Sequence, residues 1–214
     1  MLVREMMRSP VTTLAVDAPL GEASRLFHAH GFRHLPVMEG GRLVGVLTDR
    51  DLRWITSSLC PEPRTLEDPV RLAMSSPPYT VDPLYPVEDA ARIMREHKIG
   101  CLPVMDGPDL VGILTGMDIL DALILLTGVA HASSRLEVAL TDRPGELARL
   151  TAFLAARHVN ILAVLTYPAP DRTVRTVLRV GSSQIRPLAA ELRQEAFQVL
   201  WPLPKPLPGA QPNP

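Results

Sequence analysis

The sequence predicts a mixed α+β chain, two tandem β-α-β-β-α modules followed by a ferredoxin-like β-α-β-β-α-β domain. Three observations carry that prediction. Shifted by 67 residues the chain matches itself without a gap, so that Leu35-Pro36-Val37-Met38 falls on Leu102-Pro103-Val104-Met105 and Leu43–Thr48 on Leu110–Thr115. Within each copy, apolar residues at helical spacing alternate with short apolar runs of strand length. Past residue 134 the order changes to strand-helix-strand-strand-helix-strand. One duplication at this length gives two homologous modules and not a solenoid.

The elements follow in order. Ser9-Pro10, repeated as Ser76-Pro77, precedes a short extended piece. Pro19 and Pro86 each suit a first helical turn, and Leu20, Ala23, Phe27 and His30 repeat at helical spacing as Val87, Ala90, Met94 and His97 do. Strands Leu35–Met38 and Leu43–Leu47 are joined by the turn Glu39-Gly40-Gly41-Arg42. A second helix starts at Thr48, and at Thr115 in the other copy. From Met117 to Leu126 this second helix is apolar beyond one face, so it is either well buried or part of a subunit contact; Gly128 stops it. The modules span residues 1–60 and 70–127, joined by a proline-punctuated linker at 61–69.

Residues 128–134 form a second linker and 135–201 the third domain. Leu136, Val138 and Leu140 alternate as a strand, and Asp142–Leu147 opens a helix carrying Leu150 and Leu154. A strand from Asn160 to Tyr167 turns through Pro168–Asp171 into Thr173–Val180. A helix at Ile185–Glu195 and a strand at Phe197–Trp201 complete the order. The tail, 202–214, is about half proline and should be extended or disordered.

Composition bounds the partners. With 22 basic against 23 acidic residues and a formal charge of −1, the chain lacks the basic excess that nucleic acid demands. Cys60 and Cys101 form neither a CxxC pair nor a disulfide framework. The start carries no signal-peptide pattern, and the apolar run Ala122–Ala132 is too short and too broken to cross a membrane, which predicts a cytoplasmic protein. Prolines number 22, nearly all basic residues are Arg, and Asn is scarce; a thermophilic source and a GC-rich genome both give that bias. No nucleophile elbow, P-loop or HExxH is present, Ser57, Ser58 and Cys60 have no base nearby in sequence, and His28 and His30 at i, i+2 point apart on a helix. The sequence therefore predicts no catalytic residues, no metal and no catalytic cofactor.

The pattern of Ser-Pro, then His-Leu-Pro-Val, then Leu-Val-Gly-Val-Leu-Thr-Asp-Arg-Asp, which recurs in copy two as Ser-Pro, Cys-Leu-Pro-Val and Leu-Val-Gly-Ile-Leu-Thr-Gly-Met-Asp, resembles the CBS domain, and the two copies resemble a CBS pair or Bateman module. The strand–Asp-Arg-Pro-Gly-Glu-Leu–helix–Asn-Ile pattern of the third domain resembles the ACT domain, and the whole resembles the CBS–ACT proteins of acetoin-utilisation type. The resemblance implies a regulatory protein that binds AMP, ADP, ATP or S-adenosylmethionine between the CBS copies. It further implies a small amino acid bound at an ACT domain paired edge to edge, and a homodimer or larger homo-oligomer. A detached regulatory subunit of a partner enzyme or transporter, and a ligand-free oligomerisation scaffold, are the alternatives.

Site residues follow. By resemblance Asp51 and Asp118 hold ribose, since a carboxylate accepts both hydroxyl donors of a diol, while Thr48 and Thr115 contact ribose or phosphate beside a helix N-terminus. Val11, Val37, Val104 and Ile113 are expected to flank adenine. Arg33, with His34 when protonated, and secondarily Arg50 are expected on phosphate, solvated strand-end residues being the other reading of Arg33 and His34; the equivalent pair in copy two, Gly100-Cys101, has no charge, so that cleft should be weaker or tuned to a less anionic ligand. The same Thr-x-x-Asp also reads as a capping box that binds nothing. In the ACT domain Asp142, Gly145 and Asn160 match effector-contacting positions, with Asp142 and Pro144 as plain helix starters the other reading.

Overall fold

The computed structural model describes residues 1–170 and 172–204, which form two compact units, one of Met1–Ala122 and one from Leu123 onward. The first unit holds both repeats. Copy one contains β1 (Leu14–Ala15), α2 (Leu20–His30), β2 (His34–Glu39), β3 (Arg42–Thr48) and α3 (Asp49–Ile55), preceded by a short helix α1 (Val3–Met6). Copy two contains α4 (Val87–His97), β4 (Cys101–Asp106), β5 (Asp109–Thr115) and α5 (Gly116–Leu126). Pro19 and Pro86 stand just before their helices, as N-caps in extended conformation.

The repeat holds down to register. In copy one β1 runs parallel to β2, which pairs antiparallel with β3 so that His34 faces Thr48. In copy two a single parallel bridge from Val81 to Val104 replaces β1, and Cys101 faces Thr115. The same irregularity interrupts Val37/Met38 and Val104/Met105.

The two copies exchange their leading segments. Val3 of α1 is fully buried in the core of copy two with Val87, Ala90, Leu102 and Leu114, a burial worth about 1.5–3 kcal/mol. Reciprocally, Val70, in a 3₁₀ turn, fills the core of copy one with Leu20, Leu35, Val37 and Leu47. Arg8 and Ile113 trade backbone hydrogen bonds at 2.9 and 3.0 Å, and Ser75 and Val46 do the same at 3.0 and 2.9 Å. The extended pieces expected after each Ser-Pro pair within their own module, Leu14 with Val37 and Val81 with Val104, whereas the residues just ahead of it join the other module's sheet. Gly45 and Gly112 permit this approach. A Cβ on Gly45 would come within 2.6 Å of Met74 Sδ and 2.9 Å of the Ser75 carbonyl oxygen, and Met7 lies over Gly112 in the same way.

In α5 only Asp118 and Ala122 are buried, while Leu120, Leu123, Leu125 and Leu126 are about half exposed, so the buried alternative for this helix does not hold within the chain.

The second unit is an antiparallel sheet in the order β7-β8-β6-β9, built from β6 (Ser134–Thr141), β7 (Ile161–Pro168), β8 (Thr173–Val180) and β9 (Gln198–Trp201) with α6 (Glu146–Ala155) and α7 (Ile185–Gln194). Leu136, Val138, Leu140, Leu178 and Val180 alternate onto the face that packs on Leu150, Leu154, Leu188 and Leu192. This is the expected β-α-β-β-α-β order. Helix α6 begins at Glu146 after a left-handed Gly145, and no side chain caps it, so Asp142 does not start the helix. Of the proline-rich tail, Pro202 is tied by Arg193, whose Nη2 donates to the Pro202 carbonyl at 2.6 Å; the remainder of that expectation, 205–214, lies outside the described residues.

Candidate ligand site

Each copy places Thr-x-x-Asp where a buried strand runs into a helix. Thr48 caps α3: its Oγ1 accepts from the Asp51 amide at 3.1 Å and donates to Asp51 Oδ2 at 2.6 Å, and its amide donates to the same oxygen at 3.3 Å. Thr115 and Asp118 repeat the three bonds at 3.4, 2.6 and 2.8 Å. Both pairs are closed capping boxes. The first helical amides are used too, that of Asp49 by the Arg33 carbonyl at 3.2 Å and that of Gly116 by the Gly100 carbonyl at 3.0 Å. Few orphan donors therefore remain at these helix starts, which narrows the expectation of a phosphate seated on free N–H groups.

The two acids then part company. Asp118 is 2% exposed, and its Oδ1 accepts from Arg8 Nε at 2.9 Å. Asp51 is half-buried, and its Oδ1 takes no hydrogen bond among the described residues. Arg8 arrives on the exchanged N-terminal segment; the matching residue of copy one is Ser75, too short to do the same. Sequence reasoning did not single out Arg8, although the mismatch of Arg8 with Ser75 is visible at the repeat offset.

Charge is equally one-sided. His34, opposite Thr48, packs its ring on Gly100, where a Cβ would come within 2.5 Å of Nε2. Burial pushes the His34 pKa below its ordinary value, with Asp49 and Asp51 pulling it up and Arg33 pushing it further down. The imidazole is therefore neutral at neutral pH, a donor and an acceptor, and an anion beside it would favour the protonated form. Arg33 and Arg50 are exposed, with no ion-pair partner among the described residues. In copy two the position of His34 is held by Cys101, whose thiol burial raises to about 12.

The apolar wall differs from the expectation. Val11 and Ile113 do meet, in a small cluster with Val46 and Cys101. Val37 and Val104 do not join them: both are completely buried in the cores of their own copies. The cause is strand alternation, which turns Leu35 and Val37 to one face and His34 and Pro36 to the other. Val46 was available from the sequence, since it is the 67-residue counterpart of Ile113.

In the second unit, Asp142 and Gly145 follow the Thr141 end of β6, whereas Asn160 precedes Ile161, which shares a register row with Val180 and Ser134 at the other end. An eight-residue strand separates them by about 24 Å at the usual rise per residue. One chain alone does not bring these three residues together. Among the described residues no cluster of His, Cys, Asp and Glu is arranged to hold a metal, and no helix is long and apolar enough to cross a membrane.

Residues 3–55 and 70–125 match the CBS domain family, and residues 134–197 match the ACT domain. The chain belongs to the CBS-domain family. It carries a tandem CBS pair followed by an ACT domain. A CBS domain-containing protein of Dictyostelium discoideum is 37% identical over 133 residues, covering 58% of this chain and 91% of that protein. A Vibrio cholerae structure described as an acetoin utilization protein (AcuB) superposes with a TM-score of 0.52 at 32% identity, over 60% of this chain and 94% of its own. The CBS pair of protein MJ0100, in complex with 5′-methylthioadenosine and S-adenosyl-L-methionine, gives a TM-score of 0.52 at 26% identity, over 57% and 95%. CBSX2 in complex with AMP gives 0.52 at 27% identity, over 57% and 96%. Similar CBS pairs thus bind adenosine compounds with and without a phosphate.

Proposed function

We propose that the chain is a cytoplasmic, non-catalytic sensor whose CBS pair binds an adenosine-containing ligand (AMP, ADP, ATP or S-adenosylmethionine) at copy one. The observation that carries this reading is Asp51 Oδ1, a carboxylate oxygen without a hydrogen bond among the described residues, on a half-buried side chain at a helix start near Thr48, His34 and Arg33. A ribose diol donates to that oxygen. Adenine lies against Val11, Val46 and Ile113, and Arg33 with Arg50 takes a phosphate where the ligand has one. Ligand bound between the copies favours one arrangement of the pair over another, and that shift in population is the signal.

Self-association supplies the output surface. The half-exposed Leu120, Leu123, Leu125 and Leu126 of α5 suit the same helix of a second copy, giving a homodimer. An amino-acid effector at the ACT domain would take Asp142 and Gly145 from one chain and Asn160 from another, which agrees with their separation within one chain. A partner enzyme or transporter regulated in trans is the second reading, tested by affinity capture from the source cells.

Calorimetry and thermal shift against AMP, ADP, ATP, S-adenosylmethionine and the common amino acids test the proposal. A ligand at about 100 times its Kd adds about 2.7 kcal/mol to stability. At least one adenosine compound should raise the melting temperature. A flat response to all of them at millimolar concentration would favour the ligand-free scaffold.

A further inference from the structure

The two CBS copies share fold, register and capping boxes, yet only one keeps a carboxylate oxygen available. We infer that Arg8 is an internal plug: it occupies the ribose acceptor of copy two and restricts the pair to one adenosine ligand per chain. This rests on the reading of the copy-one site given above.

The geometry of Asp118 is the basis. Its Oδ2 is held by the Thr115 amide at 2.8 Å and the Thr115 hydroxyl at 2.6 Å, and its Oδ1 by Arg8 Nε at 2.9 Å. A ribose diol donates two hydroxyls, whereas three of the roughly four acceptor sites of this carboxylate are taken, and a charge-assisted bond to a carboxylate 2% exposed is not surrendered to a neutral hydroxyl. Arg8 is also fixed from behind. Its backbone is paired with Ile113 in both directions, next to the apolar cluster of Val11, Val46, Cys101 and Ile113, so the guanidinium is delivered by the strand exchange itself. At the symmetric place Ser75 pairs with Val46 and leaves Asp51 Oδ1 open. One residue pair, Arg8 against Ser75, therefore separates a plugged site from an open one.

The distribution of other charges agrees with this division. Copy one holds Arg33 and His34 beside its open carboxylate, whereas Gly100 and Cys101 stand at those positions in copy two. The plugged copy is also the copy without a phosphate partner at this strand.

Calorimetric titration with the adenosine compound that binds the native protein tests the inference, using Arg8→Ser and Ser75→Arg in the full chain. Native protein should bind one equivalent, Arg8→Ser two, and Ser75→Arg none or at least tenfold more weakly. Arg8→Ser leaves the buried Asp118 carboxylate held by Thr115 but without its cation, so its fold is checked by its melting transition, and Ser75→Arg, which disturbs no ion pair among the described residues, tests the inference independently. Two equivalents bound by native protein would show that Arg8 leaves Asp118 as ligand enters, and would overturn the plug. One equivalent in Arg8→Ser, or unchanged affinity in Ser75→Arg, would overturn it while leaving the copy-one reading intact. No binding by native protein or by Arg8→Ser would overturn the copy-one reading and the plug with it.

Discussion

Copy one and copy two share their hydrogen-bond register, but the acids at their helix starts stand in different surroundings. In copy two the acid at the helix start is buried and ion-paired, and its neighbours Gly100 and Cys101 are uncharged. In copy one the equivalent acid is half open, beside His34 and Arg33. The helices diverge as well. In copy one α2 packs on α3, whereas a shallow apolar hollow lies in copy two among Met94, Ile99, Gly116 and Ile119 of the α4–α5 region, where Phe27, Phe32, Asp49 and Leu52 stand in copy one. The lesson is that duplication preserved the scaffold while the surroundings of the two acids diverged, an ion pair closing Asp118 and none reaching Asp51 among the described residues.

The contrast can be broken or sharpened by paired substitutions. The largest difference is expected between the acids. Asp118→Ala removes a cap and a buried charge-assisted bond, and should lower unfolding free energy by about 2–4 kcal/mol. Asp51→Ala, which removes the cap alone, should cost about 0.5–2 kcal/mol. Urea unfolding measures both, and equal costs would contradict the asymmetry.

The crossing glycines come next. Gly45→Ala places a methyl against the Ser75 backbone as well as Met74 and should destabilise by about 1–3 kcal/mol. For Gly112→Ala the three nearest atoms all belong to the flexible Met7 side chain, so it should cost less, again read by urea unfolding.

The pH dependence contributed by His34 belongs to copy one, because Cys101 stands at that position in copy two. Its folded pKa lies below the unfolded 6.5, so the unfolded chain takes up the proton first as pH falls. The stability this group contributes is complete above about pH 6.5 and is lost as pH drops toward the folded value. His34→Asn should flatten that part of the stability–pH curve, and an unchanged slope would place the titration elsewhere. The smallest effect is at Cys101, whose buried thiol, with a pKa of about 12, should resist alkylation by iodoacetamide in the folded protein and react once urea unfolds it.

Much of this architecture was legible in the chain. The offset of 67 residues fixed where strands and helices recur, because paired apolar runs such as Leu35–Met38 and Leu102–Met105 cannot match twice without sharing a fold. Thr48-x-x-Asp51 announced both a helix start and a carboxylate, and the structure contains both. Which face of β2 met the site was not legible. Every residue from Leu35 to Val37 is apolar, so alternation alone could not say that Val37 turns to the core. The strand exchange was hidden for another reason: Val3 and Val70 satisfy a core equally well in either copy, and the sequence does not say which. The bond between Arg8 and Asp118 joins residues 110 apart and follows only once that exchange is known.

The central claim is that the copy-one carboxylate holds the ligand and the copy-two carboxylate holds the fold. Titration of AMP into Asp51→Asn and Asp118→Asn tests it most directly. The account predicts at least a tenfold loss of affinity, about 1.4 kcal/mol, in Asp51→Asn, and affinity within about twofold of native in Asp118→Asn. Native affinity in Asp51→Asn, or a loss confined to Asp118→Asn, would contradict it.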